Sequence, residues 1–136
     1  MSFLLRRIGV VLAILWAGPW TLLGLTIGGL ALLTGGGVRR TGRVVEFWGG
    51  FAAFYLRWFP LIRGASAVTF GHAVLARDEA AIEATRPHER VHVRQYERWG
   101  PLFVPAYLFH WVRLRLAGKD PYRDNPFERQ AFEEAG

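Results

Sequence analysis

The sequence predicts an α+β protein: an N-terminal transmembrane helix or helical hairpin, then a small domain of short antiparallel strands and helices. Three observations carry that prediction. No charged residue occurs from Ile8 to Leu33, a stretch long enough to cross a bilayer. Residues 43–59 are rich in Val, Phe, Tyr and Trp, which suit a pleated, half-buried surface. Further on, Pro87 and Asn125-Pro126 stand where helices begin, and Gly100-Pro101 stands where one ends. The expected organisation is a membrane-inserted segment over residues 1–36 and a domain over residues 37–136.

Within the apolar run, Arg6 and Arg7 resemble the basic end of a secretory signal. The run is too long for one, however, and no small-residue cleavage site stands before Gly35. Gly18-Pro19 interrupts it, which allows either one kinked spanning helix or two short helices folded as a hairpin. Arg6 and Arg7 flank one end, and Arg39, Arg40 and Arg43 flank the other. A hairpin sends both clusters to the cytoplasmic side, so it is the favoured arrangement, with the following domain cytoplasmic. Such a chain is an integral protein of a cell membrane, in a bacterium the inner one. Gly24, Gly28 and Gly29 stand near the small-xxx-small spacing that lets helices approach closely in lipid, a route to a homo-oligomer.

Thr34 to Arg43 reads as a Gly- and Arg-rich linker. Gly49-Gly50 turns or kinks the strand that follows. Residues 66–76 read as a second strand or strand pair, with His72 packed within it rather than catalytic. Asp78 to Ala84 suits a short helix, and Pro87 opens a separate one that runs to about Trp99. Pro101 to Ala117 is apolar round nearly its whole helical circumference and includes Tyr107, Trp111, Arg113 and Arg115. That pattern suits a helix at the bilayer interface around 102–117, or a core helix of the domain. Of the 17 basic residues only Lys119 is lysine, and the net charge is +6. Because the arginines are spread along the chain rather than set on one periodic face, anionic lipid head groups account for them better than nucleic acid does. The chain has no cysteine, which excludes disulfides and thiolate metal ligands.

His88-Glu89-Arg90-Val91-His92 is the segment with chemical content. On a helix, positions i and i+4 lie one above the other, so two neutral imidazoles there can grip one tetrahedral Zn²⁺. Glu89 lies one residue round the helix, within reach of a water polarised by that cation but not itself a ligand. A third protein ligand is needed from a second helix. Glu128 supplies it, 36 residues after His92 and in the first turn of a helix capped by Asn125 and opened by Pro126. The same carboxylate at near capping-box spacing could instead serve backbone amides. Glu133 is the next candidate.

This pair of motifs, His88-Glu89-Arg90-Val91-His92 and Glu128-Arg129-Gln130-Ala131, resembles the gluzincin metallopeptidases over residues 66–134. The hydrophobic segment beside it resembles the membrane-embedded members of that group. The resemblance implies a zincin-like domain with Zn²⁺ held by His88, His92 and Glu128. It implies Glu89 as general base in peptide-bond hydrolysis, and an edge strand that pairs with extended substrate, for which residues 66–76 are the best candidate. In many gluzincins an Asp four positions after the ligand Glu steadies a zinc-bound His. Here that position is Phe132, which leaves Asp124 or Glu133 as substitutes. The oxyanion donor is a Tyr or His in the group, and Tyr96, His110 and Tyr122 are the local options. The expected partners are a peptide or protein substrate and the lipid bilayer. The competing readings are a membrane zinc protein that does not cut and a metal-free membrane adaptor.

Overall fold

The computed structural model describes residues 2–58 and 65–135. The apolar run is one helix, α1 (Phe3–Leu33), not a hairpin. Ser2 caps its start, its hydroxyl accepting from Leu5 N–H at 3.2 Å. Pro19 lies inside the helix and forfeits a single backbone bond. Indole hydrogen bonds clamp α1 on both sides of that proline: Trp16 donates to Arg98 C=O at 3.4 Å and Trp20 to Pro101 C=O at 3.2 Å. With one helix the two basic clusters flank opposite ends, so their charge does not place the domain on the cytoplasmic side.

The expected Gly/Arg linker is largely a strand. β1 (Gly37–Thr41) pairs antiparallel with β2 (Val44–Trp48) through the turn at Gly42-Arg43. Beyond β2 the predicted strand over 43–59 stops, and residues Gly50–Trp58 form helix α2; Phe59 lies outside the described residues. The stretch Phe51-Ala52-Ala53-Phe54-Tyr55-Leu56 contains no β-branched side chain, and Ala52 and Leu56 put one face into the core at helical spacing. Residues 66–76 are the expected strand pair, β3 (Ala67–Phe70) and β4 (Ala73–Ala76). Gly71, at φ 62°, makes the turn between them and lies against Thr21 of α1. The sheet order is β1-β2-β4-β3, with β2 and β4 parallel, so the sheet is mixed rather than antiparallel.

Period-two alternation explains why β4 is buried at every position. Ala73 and Leu75 face α1 and α2 together with Phe47 and Phe70, while Val74 and Ala76 face the opposite layer with Val44, Ile82 and Val93. That second layer is α3 (Glu79–Trp99), a single helix where a short helix and a separate motif helix were expected. Asp78 caps it, accepting from Ala81 N–H at 2.7 Å, and Ala81 and Ile82 anchor its first turns in the core. Pro87 sits mid-helix at the cost of one backbone bond. Gly100 ends α3, and a 3-10 turn (Gly100–Leu102) leads into α4 (Phe103–Leu116). The chain returns along α5 (Pro126–Ala135) against α3.

Two of the three glycines singled out in α1, Gly24 and Gly28, face the sheet. A Cβ on Gly28 would lie 2.4 Å from the Phe47 ring, and one on Gly24 would lie 2.7 Å from Ala73 Cβ, whereas Gly29 has open space. Sheet packing thus accounts for two of the three. The opposite face of α1 keeps Leu12, Leu15, Leu22, Leu25 and Leu30 exposed. Among the described residues α1 is the one helix long and apolar enough to cross a membrane.

Glu46 of β2 is buried on the α3 side and accepts two hydrogen bonds from Arg86, both at 2.9 Å. Burial pushes its carboxyl upward, but the bonds and charge of Arg86, with Thr41 and Arg90, outweigh that and hold it below the ordinary glutamate value. A depressed carboxylate stabilises the fold above its unfolded pKa and loses that contribution as pH falls through the folded one. Glu46→Gln is therefore expected to cost about 1.5–3 kcal/mol at pH 7. The gap to the parent chain should close below the normal glutamate range, as measured by urea unfolding at several pH values.

Candidate metal centre

Two helices build the site. α3 presents His88 and His92 one turn apart, with ring centroids 5.0 Å from each other. α5 presents Glu128, whose helix starts at the fully buried Asn125. The Asn125 side chain accepts from Phe127 N–H at 3.1 Å and donates to Tyr107 C=O of α4 at 3.3 Å, so it ties the start of α5 to α4. Glu128 does not serve as a capping carboxylate. Its Oε1 instead accepts from His88 Nε2 at 3.0 Å and from His92 Nε2 at 2.8 Å. One ligand atom from each of the three residues lies within 4.8 Å of the others. Two imidazole nitrogens and one carboxylate oxygen so gathered fit a tetrahedral Zn²⁺ with one position left over.

Electrostatics agree with that donor set. Burial favours neutral forms, yet the Glu128 carboxylate raises His92 to about 9, with help from Glu89 and Gln95. Conversely, burial works to raise Glu128, but the bonds from His88, His92 and Tyr107 and the charge of His92 bring it down to about 2. An ionised carboxylate ringed by proton donors is the electrostatic arrangement that a cation would replace.

Glu89 is buried beside the three and does not join them. Its Oε2 accepts the Thr69 hydroxyl of β3 at 2.7 Å. Burial raises its carboxyl, only partly offset by His92, Thr69 and His88. Thr69 is itself held from behind, because Tyr96 OH donates to its carbonyl at 3.1 Å. All of these groups line one cavity of about 650 Å³, walled by Phe103, Val104, Tyr107 and Leu108 of α4 and by Phe132 of α5.

Of the three predicted oxyanion donors, only Tyr122 both lines the cavity and has a hydroxyl that is not committed to a backbone carbonyl. Tyr96 lines it too, but its hydroxyl belongs to Thr69. His110 lies elsewhere: it accepts from Arg113 at 3.1 Å and packs its ring on Phe127. The suggested substitutes for the missing Asp are also elsewhere. Asp124 bonds Asp120 N–H at 3.1 Å, and Glu133 is exposed. Phe132, in the Asp position, stacks edge-on against His88 at 4.6 Å between centroids. His72 is buried in the β3–β4 turn and bonds Glu97 at 2.8 Å, away from the three ligands.

Three contacts went unread in the sequence. Tyr107 donates to Glu128 Oε2 at 2.7 Å, Thr69 holds Glu89, and Gln95 meets His92 Nδ1 at 2.8 Å. Gln95 alone carried a signal: it stands at i+3 from His92 and i+7 from His88, on the face that bears the motif. Compared with known proteins, the chain matches no family model, no curated protein and no solved structure.

Proposed function

We propose that the protein is a membrane-integral, zinc-dependent metallopeptidase of gluzincin type, with a small zincin-like domain. The observation that carries this reading is the convergence of His88, His92 and Glu128 on one point, with Glu89 beside them and outside the ligand set. Zn²⁺ bound there would acidify water and polarise a peptide carbonyl. Glu89 takes the proton of the attacking water and passes it to the leaving amine, and Thr69 orients the carboxylate for both transfers. Tyr107 holds the second oxygen of Glu128, leaving the first for the cation. Tyr122 donates to the developing oxyanion.

The β3 edge of the sheet, which pairs with no further strand among the described residues, supports extended substrate. Arg77 N–H bonds Ser66 C=O at 3.0 Å, and this sets the alternation: Ser66, Val68 and Phe70 turn their backbone groups to β4, while Ala67 and Thr69 turn theirs outward. Ala67 therefore offers an N–H and a C=O to a peptide lying in the cavity. Lipid contact is supported by the exposed leucines of α1 together with Phe54 and Trp58 of α2. At 1.5 Å per residue α1 is roughly 46 Å long, more than a bilayer core requires. Phe109, Val112 and Leu116 of α4 extend the apolar surface, as an interfacial helix would.

The test is hydrolysis of a mixture of unstructured peptides by the detergent-purified chain. Cleavage lost to a chelator and restored by Zn²⁺ supports the reading. No cleavage by a chain that holds zinc supports a non-proteolytic zinc protein instead. Tyr122→Phe is expected to lower kcat about 10²–10³-fold with KM little changed, measured on the best-cleaved peptide.

A further inference from the structure

We infer that Gln95 is the positioning residue of the metal centre, setting the tautomer of His92 and clamping α5 to α3; this rests on the zinc reading above. The end of the Gln95 amide that faces His92 decides which ring nitrogen carries hydrogen. Its nitrogen lies 3.0 Å from Phe127 C=O and 2.8 Å from Gln130 Oε1. A backbone carbonyl can only accept, so the atom facing it must be the NH₂ group. The amide oxygen is then the atom 2.8 Å from His92 Nδ1. An amide oxygen also only accepts, so Nδ1 must carry a hydrogen. Nε2, directed at the same point as His88 Nε2 and Glu128 Oε1, is left as the metal-binding nitrogen.

The same side chain fixes the other half of the site. Phe127 and Gln130 belong to α5 and bracket Glu128, so the two bonds that orient the Gln95 amide also hold the helix that delivers the carboxylate. Gln95 is buried, and these three bonds satisfy the amide that burial removes from water. It performs for this chain the service that the position of Phe132 cannot, and it does so from the motif helix itself. A neutral amide raises the basicity of the imidazole less than a carboxylate would, so its contribution is orientation rather than charge.

Gln95→Met tests this, because the unbranched thioether keeps the volume and the helix while it deletes both the acceptor and the donors. Zinc affinity is read by competition with a chelating dye, and folding by circular dichroism and thermal unfolding. The parent chain should bind zinc and the folded variant should bind it about 10–100-fold more weakly. A second measurement does not depend on the variant folding. In the zinc-loaded parent chain, ¹⁵N-labelled histidine spectra should show His92 protonated at Nδ1 and metallated at Nε2. Equal affinity in parent and variant, or a metallated Nδ1, overturns the inference and leaves the zinc site standing. A parent chain that binds no zinc overturns both.

Discussion

Glu89→Gln is expected to lower peptide hydrolysis about 10²–10⁴-fold while zinc stays bound at parental affinity. The two side chains have the same shape, and the amide oxygen can still accept the Thr69 hydroxyl that holds Glu89 at 2.7 Å. What disappears is the ability to take a proton. Zinc is retained because Glu89 stands outside the group formed by His88, His92 and Glu128. Burial, which pushes the Glu89 carboxyl upward, makes it a better proton acceptor than an exposed glutamate. Steady-state kinetics beside metal analysis of the same preparation make the comparison. A variant that keeps both zinc and parental kcat would remove Glu89 from the chemistry. A variant that loses zinc would make it a ligand.

The second large effect concerns α1. Deleting residues 3–33 should leave a chain that neither unfolds cooperatively nor binds zinc, because the helix is one wall of the core and not a detachable anchor. Its Ile27 and Ala31 pack with Phe47, Phe70, Ala73 and Leu75, and Ala17 packs with Tyr96, Phe103 and Phe127 close to the metal centre. Losing that layer uncovers the sheet face that α1 shares with α2, leaving the packing of Ala52, Phe51 and Tyr55 against it. Gly28→Leu probes the same contact more gently: any Cβ there meets the Phe47 ring at 2.4 Å, so overpacking should cost about 1–3 kcal/mol. Thermal unfolding in detergent reads both. A truncated chain with parental Tm and parental zinc affinity would contradict this account of the fold.

The candidate site was more legible in the sequence than the sheet was. His88, Glu89 and His92 depend only on the geometry of one helix, and Glu128 depends on a start signal that Asn125-Pro126 states locally. The strands were harder because tertiary context decides them. Gly37–Thr41 looked like a linker, since β1 is an edge strand with arginines on it and becomes a strand only by pairing with β2. Gly50–Trp58 looked like strand from its aromatic content, but α1 and the sheet offer it a groove that rewards Ala52 and Leu56 at helical spacing. The glycines of α1 carry a spacing that suits lipid equally well, because a helix–helix contact and a helix–sheet contact both require small side chains. Thr69 and Tyr107 had no local signal at all: each reaches the site only through the packing of β3 and α4 around α3.

The most direct measurement is the metal content of the detergent-purified chain. Close to one zinc per chain is expected, lost in His88→Ala, His92→Ala and Glu128→Ala and kept in Glu133→Ala. A folded chain that takes up no zinc when supplied with it, or a Glu128→Ala variant that binds as tightly as the parent, would contradict the proposed centre.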